Sequence, residues 1–121
     1  MEYTIGQAAE TVGLTTYTLR YYEKEGLLSQ IQRNKQGIRV FTEADIFWID
    51  IIRCLKDTGM SISDIKHIVD LSRKGEHTIP ERKQILKEHK KKIEIQISEL
   101  QKSSNKIDRK LEWYDGMGND C

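Results

Sequence analysis

A single proline in 121 residues and only two cysteines leave little here that would break helices or staple a fold. Cys54 and Cys121 stand far apart and match no zinc-ligand spacing, so neither a metal finger nor a disulfide framework is expected. No apolar run approaches the roughly 20 residues of a membrane span. The start, Met1-Glu2-Tyr3-Thr4, lacks the basic and apolar regions of a secretion signal, and a cytoplasmic protein is expected. Excess charge of one sign is missing too: the net charge is +1, so composition alone does not announce a nucleic-acid binder. No nucleophile-base pair, phosphate loop or carboxylate pair stands at workable spacing, and an enzyme is not expected.

What is present is charge and helical punctuation. Charged residues make up 32% and apolar residues 37%, a mixture suited to a helix-rich protein with much exposed helical surface. Serine or threonine recurs just before apolar periodic stretches, and glycine just after them. Thr4 with Gln7 forms a capping box for a first helix that ends near Val12 at Gly13. A second helix follows Thr15 and closes at Gly26. Thr42, Glu43 and Asp45 open a third, which Gly59 follows. Ser61 and Asp64 open a fourth that closes near Gly75, and Thr78, Pro80 and Glu81 announce a fifth. Between helices two and three, β-prone residues flank Asn34-Lys35-Gln36-Gly37, which reads as a hairpin.

From Leu86 onward the apolar or small positions are Leu86, Ile93, Ile97, Leu100, Ser104, Ile107, Leu111 and Tyr114. From Ile93 their spacing alternates four and three, the seam of a coiled coil. Alone, such a helix would carry a bare apolar stripe, so the same helix of a second chain is the expected partner. The expected organisation is therefore a compact N-terminal domain over residues 1–75, a dimerisation helix over 78–115 and a flexible tail over 116–121.

The segment Ile5-Gly6-Gln7-Ala8-Ala9-Glu10-Thr11-Val12-Gly13-Leu14-Thr15 has the pattern of a helix-turn-helix: small residues where two helices approach, then a glycine turn. In that motif the second helix enters the major groove by its N-terminal residues. Thr16, Tyr17, Thr18 and Arg20 are then the candidates for base edges and nearby phosphates, with Arg20 the foremost reader. Tyr21 and Tyr22 could offer hydroxyls to phosphates or brace the domain with their rings. Positive charge is concentrated rather than abundant: residues 29–41 hold Arg33, Lys35 and Arg39 and no acid. Lys56 extends this set toward the turn between helices three and four.

The run Tyr3-Thr4-Ile5-Gly6-Gln7-Ala8-Ala9, then Thr18-Leu19-Arg20-Tyr21-Tyr22-Glu23-Lys24-Glu25-Gly26-Leu27-Leu28, resembles the N-terminal domain of MerR-family regulators. Gly37-Ile38-Arg39-Val40-Phe41 resembles that family's wing, with valine at position 40 where tyrosine is commoner. The Gly59-Met60-Ser61-Ile62 turn extends the match. The resemblance implies a mainly α, winged helix-turn-helix fold with a long dimerisation helix. It further implies a homodimer joined by an antiparallel coiled coil on an inverted repeat in double-stranded promoter DNA. Such proteins act on RNA polymerase indirectly, by distorting an overlong promoter spacer.

The run Phe47-Trp48-Ile49-Asp50-Ile51-Ile52-Arg53-Cys54-Leu55-Lys56 is similar to the branch of the family that senses aldehydes and other electrophiles through one cysteine in this helix. Arg53, Lys56 and a partner-chain lysine would attract the reactive thiolate form. The plainer alternative is a buried structural cysteine, because helical spacing sets Cys54 beside Phe47 and Ile51. Metal-sensing relatives use a cysteine pair after the dimer helix, where this chain has only Cys121. His67, His77 and His89 show no ligand spacing and read as surface or packing residues, and no cofactor is expected. Trp48 reads as core, and Trp113 with Tyr114 as packing against a partner chain. Two further readings stay open: a regulator of a non-covalently bound drug-like ligand, whose relatives carry an added C-terminal domain, and an architectural DNA bender without an effector.

Overall fold

The computed structural model describes residues 1–28 and 31–117, so Cys121 lies outside the described residues. In order, the elements are α1 (Ile5–Val12), α2 (Thr16–Lys24), β1 (Gln32–Arg33), β2 (Arg39–Val40), α3 (Glu43–Asp57), α4 (Ile62–Lys74) and α5 (Ile79–Met117). A single 3-10 turn, Glu76–Thr78, leads into α5.

The helix starts are where the capping signals put them. Thr4 Oγ1 accepts from the Gln7 amide while the Gln7 side chain accepts from the Thr4 amide, and Thr42 and Asp45 repeat the arrangement at α3. Thr15 and Ser61 accept from the amides of Thr18 and Asp64. Each such cap satisfies amides that a helix start leaves unpaired and is worth about 1 kcal/mol. At the close of α1, Gly13 adopts φ 71°, a left-handed turn that costs glycine nothing.

β1 and β2 pair antiparallel, Gln32 opposite Val40 and Arg33 opposite Arg39. Ahead of α1, Tyr3 joins the same ladder through a bridge to Phe41, with amide-to-carbonyl distances of 2.9 and 2.8 Å. That third segment ties the N-terminus to the hairpin and was not foreseen from the sequence. The core lies among α1–α4. Ala8, Ala9 and Val12 of α1 meet Leu19 and Tyr22 of α2, and Ile49, Ile52 and Leu55 of α3 join Ile65, Ile68 and Leu71 of α4, all buried. Trp48 is half-buried and donates its Nε1–H to the Leu27 carbonyl at 2.8 Å.

Thr78, expected as a helix cap, is buried instead. Its hydroxyl oxygen lies 2.8 Å from the Leu71 carbonyl and 2.7 Å from that of Gly75, and it accepts from Arg82 Nε at 3.0 Å. The chain divides into two compact units, one ending at Lys83 and the other starting at Gln84. The first turn of α5 is thereby part of the N-terminal unit. At 39 residues α5 is about 58 Å long. Ile97, Leu100, Ile107, Leu111 and Tyr114 are exposed along it, while Leu86 and Ile93 are half-buried.

Candidate DNA interface and the Cys54 cleft

On α2 the buried residues are Leu19 and Tyr22. The opposite face is a run of exposed side chains at i, i+3, i+4 and i+7: Tyr17, Arg20, Tyr21 and Lys24. Tyr17 is 78% exposed, an unusual setting for a large aromatic ring with no partner surface. Arg20 Nη1 rests 3.5 Å from Thr16 Oγ1. Thr18 is drawn inward, its hydroxyl 2.9 Å from that of Thr15, so it serves the start of the helix. Tyr22 is buried, its ring braces the domain, and burial raises its hydroxyl pKa above 10.0, with the Asp57 carboxylate adding to the shift and Arg53 opposing it. Lys24 was missed as a candidate; its spacing of seven from Tyr17 was the available signal.

The hairpin tip is held by its own first residue. Asn34 Oδ1 accepts from the amides of Gln36 and Ile38 at 2.9 and 3.0 Å, and Gly37 completes the turn with φ 79°. Lys35 stands exposed on this tip. Arg33 donates to the Gly37 carbonyl at 3.0 Å. Arg39 is engaged more strongly, its Nε 2.6 Å from Glu23 Oε1, with both side chains about a quarter exposed. Of the three wing cations, Arg33 is bonded within the hairpin and Arg39 fastens the wing to α2. Lys56 is exposed in the last turn of α3.

Cys54 is exposed, which removes the reading of a cysteine sealed within its own chain. The core face of α3 is Ile49, Ile52 and Leu55; Phe47 and Ile51, the neighbours expected to bury Cys54, lie on the other side, and Phe47 is 68% exposed. An open cleft beside Cys54 is lined by Asp50, Ile51, Arg53 and Asp57. Two carboxylates therefore flank the site along with the expected arginine. Arg53 also reaches across to α1, donating from Nη1 to the Val12 carbonyl, with Asp57 Oδ2 3.8 Å from its Nε. Farther along the chain, Trp113 and Tyr114 meet edge to face at 5.7 Å with Lys110 Nζ over both rings, 4.5 and 4.8 Å from their centroids.

Residues 3–72 match the family model described as MerR HTH family regulatory protein, and residues 48–110 match that described as MerR, DNA binding. An uncharacterised HTH-type transcriptional regulator of Haemophilus influenzae is 41% identical over 114 residues, covering 94% of this chain and 84% of the relative. The HTH-type transcriptional regulator AdhR of Bacillus subtilis is 39% identical over 89 residues, covering 74% and 64%. ZntR of Escherichia coli is 32% identical over 108 residues, covering 88% and 77%. Among solved structures, HiNmlR, described as a MerR family regulator lacking the sensor domain and bound to promoter DNA, superposes with a TM-score of 0.85 at 40% identity, covering 96% of this chain and 92% of that one. With family models spanning most of its length and a relative 41% identical over 94% of it, the chain belongs to the MerR family of helix-turn-helix regulatory proteins.

Proposed function

We propose that this chain is a homodimeric transcription regulator that seats α2 in the major groove of an inverted-repeat promoter, activates by distorting that promoter, and responds to aldehydes or related electrophiles through Cys54. The observation that carries the DNA-binding part is the exposed run Tyr17, Arg20, Tyr21 and Lys24 on α2, a helix that Glu23 ties to the wing through Arg39. Its relative HiNmlR is bound to promoter DNA, and the aligned chains are alike over nearly their whole length. Twofold pairing through α5 would give the dimer two α2 surfaces, one for each half-site of an inverted repeat. Arg20 reads bases, whereas Lys35 and Lys56 set register by contacting phosphates.

Exposure of Cys54 supports its role as the responding group, together with the resemblance of the α3 run to the electrophile-sensing branch. The thiolate sulfur adds to the carbonyl carbon of an aldehyde. As the C–S bond forms, the C=O π pair moves onto oxygen, which takes up a proton, so a hemithioacetal results without any oxidant. Bulk added there presses on Arg53, which shares the cleft and is bonded to the last residue of α1.

Likeness to a probable heavy metal-dependent transcriptional regulator of Haemophilus influenzae, 32% identical over 117 residues, favours a metal as the second reading. Among the described residues, no group of three His, Cys, Asp or Glu side chains is placed to hold an ion. A promoter reporter driven by wild type or by Cys54→Ser, challenged separately with formaldehyde, diamide and zinc, tests both. Cys54→Ser should bind the promoter as wild type does and lose induction by formaldehyde. Equal formaldehyde induction in both would end the thiol reading, and induction by zinc alone would replace it with the metal one.

A further inference from the structure

Arg53 has a position that its sequence neighbourhood does not announce. It lies on α3 between the core residue Ile52 and exposed Cys54, yet its guanidinium ends on α1, 41 residues earlier in the chain. The acceptor there, the Val12 carbonyl, belongs to the last turn of α1, where helix geometry leaves carbonyls unpaired and partial negative charge accumulates. Gly13 follows in the left-handed conformation, and a Cβ built on it would run into Arg53 Nη1. The glycine thus meets two needs, the turn and the room for the guanidinium. Asp57, one turn along α3, steadies the same group, and both charges reach the Tyr22 hydroxyl on the inner face of α2. After Gly13 only Leu14 and the Thr15 cap intervene before α2 begins.

We propose that Arg53 is a positioning residue for DNA reading: from α3, its guanidinium holds the turn between α1 and α2 and so fixes the attitude at which α2 meets the duplex. The inference rests on α2 being the reading helix, as proposed above. Holding matters because base readout depends on bidentate geometry, whereas phosphate attraction tolerates small displacements. Loss of Arg53 therefore lowers discrimination between sequences more than it lowers general affinity. Lysine can offer the Val12 carbonyl a positive charge but lacks the fixed, planar donor geometry of the guanidinium, so it restores the function only in part.

The test uses the full chain and two duplexes at one salt concentration: one enriched by wild type from a random pool, and a shuffled duplex of the same composition. Arg53→Gln should weaken binding to the enriched duplex about tenfold or more, a shift of about 1.4 kcal/mol, and to the shuffled duplex less than about twofold. Arg53→Lys should fall between. Gly13→Ala displaces the same contact and also strains the left-handed turn, so it should lose discrimination at least as far as Arg53→Gln, and adding Arg53→Gln to it should cost little more. Measuring well below each variant's melting transition keeps loss of fold out of the comparison. The proposal is overturned if Arg53→Gln discriminates as wild type does, or loses equally on both duplexes. Arg20→Ala separates this from failure of the underlying reading. If Arg20→Ala loses discrimination while Arg53→Gln keeps it, only the positioning role falls; if wild type enriches no duplex, or Arg20→Ala discriminates normally, the assignment of α2 falls and takes this proposal with it.

Discussion

Truncating Leu100 to alanine should weaken the dimer far more than truncating Ile95, although both side chains are open to solvent in the single chain. Leu100 is 70% exposed and Ile95 58%. Burying a whole leucine side chain contributes about 1.5 to 3 kcal/mol, so pairing along the seam gains roughly 1 to 2 kcal/mol from the exposed part of Leu100. A twofold dimer contains the residue twice, giving roughly 2 to 4 kcal/mol, or about thirty- to several-hundredfold in the dissociation constant. Ile95 lies two residues from Ile97, about 200° around the helix, and points away from a seam running through Ile93, Ile97 and Leu100. Its truncation should change dimer dissociation by less than about twofold. Sedimentation equilibrium over a concentration series measures both constants directly. Equal weakening by the two variants, or none by either, would refute a seam on this face of α5.

Two smaller changes test the N-terminal unit. Tyr22 keeps its proton more firmly in the folded chain than in the unfolded one, so its contribution to stability is complete below pH 10.0 and is lost as pH rises through the raised folded value. The urea midpoint of wild type should consequently drop faster above pH 10.0 than that of Tyr22→Phe, and parallel curves would show the hydroxyl to be no more buried than in the unfolded chain. Glu23→Gln removes the charge opposite Arg39; for a pair this short and about a quarter exposed, the cost is about 1 kcal/mol, a fall of about 5 °C in Tm, accompanied by faster amide exchange in the wing.

Helix ends were legible because their causes are local. Thr4 with Gln7, Thr42 with Asp45, and Gly13 act on backbone groups within a few residues, so a sequence window contains the whole interaction. The wing was legible for the same reason, through Asn34 and Gly37. What escaped was set by distant partners. Arg39 looks like a free cation in the sequence, but Glu23, 16 residues earlier, occupies it; Arg53 spends its guanidinium on a carbonyl 41 residues away. The exposure of Cys54 is not legible in the sequence because α3 is apolar on more than one side: Phe47 and Ile51 suggest one inward face, and Ile49, Ile52 and Leu55 form the one that packs. Periodicity cannot choose between two apolar faces until the helix has neighbours.

The self-contained bonding of the wing tip has a consequence for how such a regulator can diverge. Asn34 supplies the acceptors, Gly37 the turn, and the side chains of Lys35 and Gln36 project outward while only the amide of Gln36 takes part. The outline of the loop is indifferent to what occupies positions 35 and 36. If Lys35 meets phosphate as proposed, descendants can exchange it for a neutral or acidic residue and thereby retune grip on the duplex, and its sensitivity to ionic strength, without disturbing the fold of the loop.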